Sequence, residues 1–392
     1  MTEETDNYLD IVNKIRKIHT NDPNVFIPLH APIFCGNEKK YLNECIDSTF
    51  VSSVGPFVDR IEKEMAEFTG SKYAIACVNG TAALHIALLL AGVQENELVI
   101  TQSLSFVATT NAIKYCNANP VFLDVDLTTM SLSPKCLEDF LTNETIQIDG
   151  KCIHKSTNKR IGAVVPMHTF GICADLSALS TICKNHNIPL VEDAAESLGS
   201  FYGDKHSGTI GLLGTLSFNG NKTITSGGGG FILTQDAELA KRAKYLTTQA
   251  KEPHAWKFYH TEIGYNYRMP NINAALLTAQ LEQLPKFLKS KRAIANEYKI
   301  LFDSYSDVTF VLEPENQTSN YWLCSILMNS QENRDAFLEI SNKHNTMCRP
   351  AWELLHTLPP FSNEILGSTL ENSYYIQSRL VNLPSSPNPR YW

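Results

Sequence analysis

Lys222 is the residue whose surroundings first suggest chemistry. It stands in SFNGNKTITSGGGGF, residues 217–231, where four glycines follow it and apolar or β-branched residues lie on both sides. Such surroundings remove water from the amine, and a neutral amine can form a Schiff base with an aldehyde. The alternative is an ordinary loop lysine whose head reaches water. The glycines favour the first interpretation, because they suit a backbone that closely approaches a bound group.

Polar residues follow several predicted strands at the point where each strand ends. Strands are predicted at 73–77, 97–101, 120–125, 161–168, 188–193, 215–220 and 229–234, with helices at 81–92, 105–116 and 174–186 between them. This alternation predicts a mostly parallel sheet covered on both faces, whose ligands bind beyond the carboxyl ends of the strands. The residues expected at that edge are Asn79, Thr81, His168, Asp193, Glu196, Ser217 and Lys222.

The turn NGTAA, residues 79–83, opens one of these helices. Free amides and the helix dipole at such a turn suit a phosphate, and the Thr81 hydroxyl could add a hydrogen bond. The alternative is an ordinary N-cap followed by a turn glycine. The turn is therefore a candidate phosphate site whose function depends on its neighbours.

Asp193 ends an apolar strand, where a carboxylate needs a cationic or N–H partner. It could cap the following helix, or it could pair with a protonated pyridine nitrogen and make that ring an electron sink. His168 could hydrogen-bond to a ring and Phe106 could cover one face of it. For both residues a structural role in the core stays open as the alternative.

The composition excludes several classes of protein. A formal net charge of −8 argues against a nucleic-acid binder. The first residues lack the apolar core of a signal peptide, and no apolar run is long enough to span a bilayer, so we expect a cytoplasmic protein with no membrane partner. The ten cysteines form no CxxC pair, so no metal site is predicted.

The pattern of predicted helices and strands divides the chain into three parts. Residues 1–30 are expected to form an N-terminal helix that packs on one of the other two parts. Residues 31–250 carry the alternating strands and helices and are predicted to be the large, ligand-binding domain. Residues 251–392 are expected to form a smaller α+β domain, because long helical patterns and then a few strands replace the alternation.

Six segments, in this order, resemble the DegT-type sugar aminotransferases. They are NGTAALHIAL, TQSLSFVATTNAI, PVFLDVD, VEDAAESLGS, SFNGNKTITSGGGG and GYNYRMPNINAAL, and the likeness runs from about residue 30 to about residue 300. The resemblance implies a pyridoxal-phosphate enzyme of fold type I. In that α/β fold, the large domain holds a mostly parallel seven-stranded sheet flanked by helices, and a smaller C-terminal α+β domain follows.

The resemblance also implies a role for individual residues. Lys222 would hold pyridoxal phosphate through the Schiff base and later move a proton between substrate and cofactor, and Asp193 would pair with the pyridine nitrogen. Glu196 stands where the family often has Gln or His near the phenolic oxygen of the ring. The phosphate would be held by Gly80, Thr81, Ala82 and Ser217, with Phe106 over the ring and Asn266 reaching the phosphate of a neighbouring subunit. The implied assembly is a homodimer with shared active sites.

The segments at 51–62 and 349–361 resemble one subgroup of this family. Its members aminate carbon 4 of UDP-linked 4-keto-6-deoxy-N-acetylhexosamines, in routes to bacillosamine and legionaminic acid. The implied amino donor is glutamate, which leaves as 2-oxoglutarate. Ser53, His168, Arg349 and Trp352 are the candidate contacts to the sugar substrate, although Arg349 could equally form a surface ion pair and Trp352 could fill a core.

Two other functions compete with transamination. A pyridoxal-dependent sugar dehydratase of this family would carry histidine in place of the lysine, and Lys222 is present. A non-catalytic relative that binds the cofactor and acts as a regulator would be expected to have lost the lysine or the aspartate, and both are intact. The sequence therefore favours the aminotransferase.

Overall fold

A computed structural model describes residues 3–392. Several helices begin or end where the sequence provides a cap. Asn79 caps one helix by accepting a hydrogen bond from Ala82 N, and another begins with Pro56 and stops at Gly70 in the left-handed conformation. The helices are α1 (Glu3–His19), α2 (Glu38–Asp47), α3 (Pro56–Thr69), α4 (Gly80–Leu90), α5 (Val107–Tyr115), α6 (Pro134–Glu144), α7 (Leu176–Asn185), α8 (Ala237–Thr247), α9 (Asn271–Phe302), α10 (Gln331–Lys343) and α11 (Glu371–Arg379).

The strands of the alternating region lie within a few residues of their predicted positions, because short apolar runs between turn residues mark them clearly. The strands are β1 (Tyr73–Cys77), β2 (Leu98–Gln102), β3 (Asn119–Leu123), β4 (Thr145–Ile148), β5 (Lys151–His154), β6 (Ile161–Val165), β7 (Val191–Asp193), β8 (Phe201–Tyr202), β9 (Lys205–His206), β10 (Leu213–Ser217), β11 (Gly230–Thr234), β12 (Val308–Phe310), β13 (Gln317–Thr318), β14 (Cys324–Met328), β15 (Arg349–Pro350), β16 (Ile365–Leu366) and β17 (Leu380–Leu383).

One large sheet organises the molecule, in the order β16-β3-β2-β6-β7-β10-β11-β1. Parallel bridges join β6 to the β7 region at Val164–Leu190 and Met167–Asp193. β11 runs antiparallel to both of its neighbours, whereas the other strands are parallel to one another. The expected mostly parallel seven-stranded sheet is therefore confirmed, and the short β16 from the C-terminal part of the chain extends it by one strand.

Helices cover both faces of this sheet, as its buried strands require. Along β1, Ala74 and Ala76 pack with α2, α3 and α9, whereas Ile75 and Cys77 pack on the opposite side with α4, α5 and α8. Helix α4 is apolar on most of its circumference and is buried from residue 82 to 88. Because both faces are sealed, the carboxyl edge of the parallel strands is the place left for a ligand.

The C-terminal part of the chain forms a second, antiparallel sheet in the order β12-β14-β17-β15. Helix α1 packs against this sheet and α10, in a core that also takes residues 294–302 of α9. The first half of α9 belongs to the other core, under the large sheet, and Pro285 lies near the middle of the helix. The boundaries at residues 30 and 250 stay predictions. Among residues 3–392, none of the helices is both long and apolar enough to cross a membrane.

Candidate active site

A cleft opens at the carboxyl edge of the large sheet, where the sequence predicted a ligand. It gathers residues from the ends of β1, β2, β7 and β10 and from the C-terminal part of the chain. Of the residues expected from the sequence, those that line the cleft are Asn79, Gly80, Thr81, Phe106, Asp193, Glu196, Ser217, Lys222 and Trp352.

The N-terminus of α4 forms one wall of the cleft. Gly80 and Thr81 begin the helix, so their amides have no carbonyl one turn earlier to bond to. A Cβ on Gly80 would lie 2.8 Å from Cβ of Ser217, so only glycine lets the helix end approach β10 this closely. The wall therefore presents free amides, the Thr81 and Ser217 hydroxyls and the positive end of a helix dipole, which together suit an anion.

Asp193 lies at the end of β7 and is only 5 % exposed. Its Oδ2 accepts a hydrogen bond from Thr109 Oγ1 at 2.7 Å, and its Oδ1 accepts one from Ala195 N at 3.2 Å. Among residues 3–392, no basic side chain forms an ion pair with this carboxylate. A buried carboxylate without a cation is matched to a cationic group that binds beside it.

Lys222 follows β10 and reaches into the cleft with its side chain 12 % exposed. Its Nζ lies 3.4 Å from Glu196 Oε1 and 4.0 Å from the centroid of the Trp322 ring. Trp322 is fixed in turn, because its Nε1 donates to the carbonyl of Asn221 at 2.7 Å. The amine is therefore held between a carboxylate and an indole face.

Glu196 is buried beside Lys222. Its Oε2 accepts a hydrogen bond from Phe170 N at 3.0 Å, and its Oε1 faces the lysine amine. Burial raises the pKa of this carboxyl to about 7, and the negative charge of Asp193 also raises it, while Lys222 and the Phe170 amide act to lower it. Glu196 is therefore poised to change its protonation state near neutral pH.

Aromatic rings frame the mouth of the cleft. Phe106 is 47 % exposed, and its ring centroid lies 6.2 Å from that of Trp352. Trp352 rests against the buried Phe170 at 4.7 Å. The mouth therefore offers flat apolar faces that suit the rings of a ligand.

The residues present fit pyridoxal phosphate. The wall of α4 offers amides and hydroxyls to a phosphate, and no carboxylate is part of it. Asp193 lacks a cation and suits a protonated ring nitrogen, while Lys222 offers the amine that an aldehyde requires. The three groups line the same cleft, so one cofactor could meet all of them.

Two of the expected contacts are corrected by the structure. Ala82 does not line the cleft, and its amide already donates to Asn79 Oδ1 at 2.8 Å, so it is not free for a phosphate. His168 is fully buried. Its Nδ1 accepts from Ala174 N and its Nε2 contacts Glu192 Oε2 at 3.0 Å, so the ring makes structural contacts and is not available to a sugar.

Three other candidates lie outside the cleft of their own chain. Ser53 and Asn266 line a separate polar hollow together with Arg268. Arg349 is exposed on β15, where it donates to Asn342 Oδ1 at 2.7 Å, so the expected contact to the sugar is not made within this chain. The position of Asn266 outside the cleft agrees with the expectation that it serves a neighbouring subunit, which stays a prediction.

Sequence reasoning missed three residues that shape the site. Trp322 lies on the Lys222 amine, and Thr109 holds Asp193. Glu192 is fully buried, and its carboxylate accepts hydrogen bonds from the amides of Gly208, Ile210 and Gly211. Of the three, only Glu192 gave a signal, since an acidic residue inside an apolar strand must find buried partners.

Comparison with known proteins identifies the family of the chain. The family model described as the DegT/DnrJ/EryC1/StrS aminotransferase family matches residues 34–389. The chain belongs to this family. Among relatives of this aminotransferase, the GDP-perosamine synthase of Escherichia coli O157:H7 is 37% identical over 363 residues, with 93% of this chain and 94% of that protein covered. The putative pyridoxal phosphate-dependent aminotransferase EpsN of Bacillus subtilis (strain 168) is 37% identical over 368 residues, with 92% and 91% covered.

Solved structures agree with the assignment. A DegT DnrJ EryC1 StrS aminotransferase from Brucella abortus superposes with a TM-score of 0.82 at 25% identity, and 90% of each chain is covered. The fold type I architecture, the aminotransferase activity and the dependence on pyridoxal phosphate expected from the sequence are thus confirmed. The narrower expectation of a UDP-linked substrate stays a prediction, because E. coli and Vibrio cholerae relatives are named GDP-perosamine synthases.

Proposed function

We propose that this aminotransferase moves an amino group from glutamate to carbon 4 of a GDP-linked 4-keto-6-deoxyhexose. The observation that carries the proposal is the cleft itself, in which Lys222, Asp193 and the N-terminus of α4 meet at one sheet edge. The relatives supply the substrate class, since perosamine is a 4-amino-4,6-dideoxy sugar and two similar enzymes bear its GDP-linked form in their names.

A UDP-linked 4-keto-6-deoxy-N-acetylhexosamine is the second candidate. The resemblance of residues 51–62 and 349–361 to the enzymes that aminate such sugars favours it. Both candidates present the same keto group to the same amine, so they differ only in the nucleotide and in the substituent at carbon 2. The two share every role proposed below for the residues around the cofactor.

Each residue around the cofactor has a proposed role that follows from its chemistry. Pyridoxal phosphate, when bound, supplies an aldehyde that condenses with amines and a ring that withdraws electrons. Lys222 Nζ would hold the cofactor and, when free, would carry a proton to and from the reacting carbon. Asp193 keeps the ring nitrogen protonated, and Thr109 fixes the direction of its carboxylate. Gly80, Thr81 and Ser217 hold the phosphate.

The sugar is proposed to enter past the aromatic mouth of the cleft. Phe106 and Trp352 stand there as exposed or half-buried faces, on which the apolar side of a deoxyhexose could rest. Such a mouth also limits the access of water to the amine of Lys222, which lies deeper and is mostly buried.

We further propose that the active unit is a homodimer with shared sites. The segment before Asn266 exposes four large apolar side chains: Trp256 is 78 % exposed, Phe258 80 %, Tyr259 63 % and Ile263 84 %. Such a concentration of exposed apolar surface is typical of an interface between proteins. It adjoins the polar hollow of Ser53 and Asn266, which supports a partner cleft being completed from this side.

The first experiment records absorbance spectra of the purified protein with pyridoxal phosphate, before and after glutamate. Wild type should show the visible band of lysine-bound cofactor and should lose it when glutamate is added. Lys222→Ala should show no such band, and Lys222→Arg is the matched variant that keeps the charge without the nucleophile. A band that glutamate leaves untouched would favour a different donor or the dehydratase, and a wild type that binds no cofactor would favour a non-catalytic scaffold.

The second experiment offers GDP-linked and UDP-linked 4-keto sugars to the protein after glutamate has converted the cofactor. We expect the visible band to return with the GDP-linked sugar and an amino sugar to appear by mass spectrometry. Return of the band with the UDP-linked sugar alone would select the second candidate. A product that has lost its carbon 3 hydroxyl and gained no nitrogen would identify a dehydratase.

The third experiment tests the shared sites by mixing two inactive variants. Lys222→Ala removes the amine from one cleft, and Asn266→Ala alters the residue expected to reach the other cleft. A random mixed population contains hybrids with one intact site, so about a quarter of wild-type activity should return. If the mixture stays inactive while mixed dimers are detected, each chain completes its own site.

A further inference from the structure

A carboxylate faces the amine that does the chemistry. Glu196 Oε1 lies 3.4 Å from Lys222 Nζ, and both side chains are largely withdrawn from water, at 3% and 12% exposure. Among the ion pairs of residues 3–392, this is the one that involves the lysine. Nothing in the role of cofactor anchor requires an acid at this contact, so the carboxylate calls for its own explanation.

The proposed role of Lys222 requires its amine to lose a proton. Whenever it is free from the cofactor, it can accept a proton from carbon only as the neutral amine. Beside a carboxylate it would be held as an ammonium by the ion pair. In a poorly solvated cleft, however, burial disfavours both charges and so narrows the free-energy gap between the ion pair and the neutral acid–amine pair.

We propose that Glu196 Oε1 takes the proton from Lys222 Nζ and later returns it, which makes Glu196 a catalytic residue of the transamination. The inference rests on the proposed function of Lys222 as the proton carrier. One N–H bond breaks and one O–H bond forms. The ammonium and the carboxylate become a neutral amine and a neutral carboxylic acid, so the total charge is unchanged.

The surroundings of Glu196 support this exchange. Its second oxygen is occupied by Phe170 N at 3.0 Å, which fixes the direction of the first oxygen toward the lysine. The charged groups that face it are Lys222 from the loop after β10 and Asp193 from β7, and they act on it with opposite signs. Burial brings the pKa of the carboxyl to about 7, so the acid form is accessible at neutral pH.

The experiment follows the protonation of Glu196 in protein free of cofactor, by infrared difference spectroscopy as pH is varied. Wild type should show the carbonyl band of a protonated carboxylic acid that grows as pH falls, with a midpoint near 7. Glu196→Gln should lack this band. Gln keeps an oxygen that can accept from Phe170 N, so the fold should persist.

Two variants of opposite effect show that the band belongs to this pair. Lys222→Ala removes the neighbouring cation and should move the midpoint to higher pH, whereas Asp193→Asn removes an anion and should move it to lower pH. The proposal is overturned if wild type and Glu196→Gln give the same spectra across neutral pH. It is also overturned if the pH midpoint of the band is the same in Lys222→Ala as in wild type.

A kinetic readout completes the test. The glutamate half-reaction in Glu196→Gln should be slowed roughly ten- to hundred-fold and should lose the dependence on a group that titrates near pH 7. Glu196→Asp, which keeps the acid but withdraws it by one methylene, should recover part of the rate. This half-reaction uses no sugar, so a wrong assignment of the nucleotide sugar would leave these results intact and would appear only with keto-sugar substrates.

Discussion

Replacement of Gly80 by alanine tests how the phosphate is held. A Cβ at this position would lie 2.8 Å from Cβ of Ser217 and 3.1 Å from its Oγ, whereas ordinary contacts begin at 3.4 Å. The first turn of α4 and the end of β10 must therefore separate by about 0.6 Å in the variant. These are the two elements whose amides and hydroxyls are proposed to close around the phosphate.

The size of the effect follows from that displacement. A hydrogen bond of about 2.9 Å stretched by this amount exceeds the usual limit of about 3.2 Å. A bond to a charged group contributes about 1.5–3 kcal/mol, so the loss of one should raise the Kd for pyridoxal phosphate roughly ten- to hundred-fold. Helix propensity acts in the other direction, since alanine is better than glycine in a helix by about 1 kcal/mol.

The assay is an equilibrium titration of cofactor-free protein with pyridoxal phosphate and, in parallel, with unphosphorylated pyridoxal. Gly80→Ala should weaken binding of the phosphate ester much more than binding of pyridoxal. Gly220→Ala is the matched control, because a Cβ at Gly220 has no neighbour within 4 Å among the described residues. An unchanged Kd in Gly80→Ala, or an equal loss for both ligands, would refute the assignment of the phosphate to this wall.

Three further substitutions address buried polar groups. Glu192→Gln places an amide N–H against backbone N–H donors in a fully buried position, which costs about 3–5 kcal/mol of stability. The Tm of this variant should fall clearly below that of wild type. An unchanged Tm would contradict the role of this carboxylate as the acceptor for those donors. Burial lowers the pKa of Lys291 to about 7, so between that pH and its ordinary pKa of 10.5 the unfolded chain binds one more proton than the folded chain. The free energy of unfolding of wild type, measured with urea, should therefore rise with pH relative to that of Lys291→Met. Parallel pH curves for the two proteins would show that this group does not titrate. Thr109→Val removes the donor to Asp193, worth about 1.5–3 kcal/mol, and should slow the glutamate half-reaction roughly ten- to hundred-fold while lowering Tm by a few degrees; a wild-type rate would show that Asp193 needs no such support.

The sequence was sufficient to predict the cleft because a topological rule connects strand ends to one another. Asp193 and Ser217 end buried strands and Thr81 follows one, and parallel strands bring such positions to a common edge. Lys222 could be singled out because few lysines stand beside four glycines. These residues needed only the order of elements, which apolar runs and turns reveal.

The remaining contacts depend on packing between distant segments. Trp322 reaches Lys222 across a hundred residues of chain, through a loop whose position no local pattern encodes. His168 stands at a strand end as expected, yet its ring pairs with Glu192 and not with the cleft. Period-two alternation places Glu192 and Asp193 on opposite sides of β7, but only the folded structure shows which side faces the ligand.

Helix α9 has a mechanical consequence for the enzyme. Its first half is packed in the core under the large sheet, and residues 294–302 are packed in the C-terminal core, so one continuous helix runs through both cores. Pro285 removes one backbone hydrogen bond near the middle and makes that point the natural pivot. The stretch from Pro285 to Phe302 is a lever of about 25 Å, and a bend of only about 5° would carry its tip by roughly 2 Å. Such a bend would shift the C-terminal core relative to the large sheet, and the packing of Phe170 against Trp322 and Trp352 would have to adjust with it.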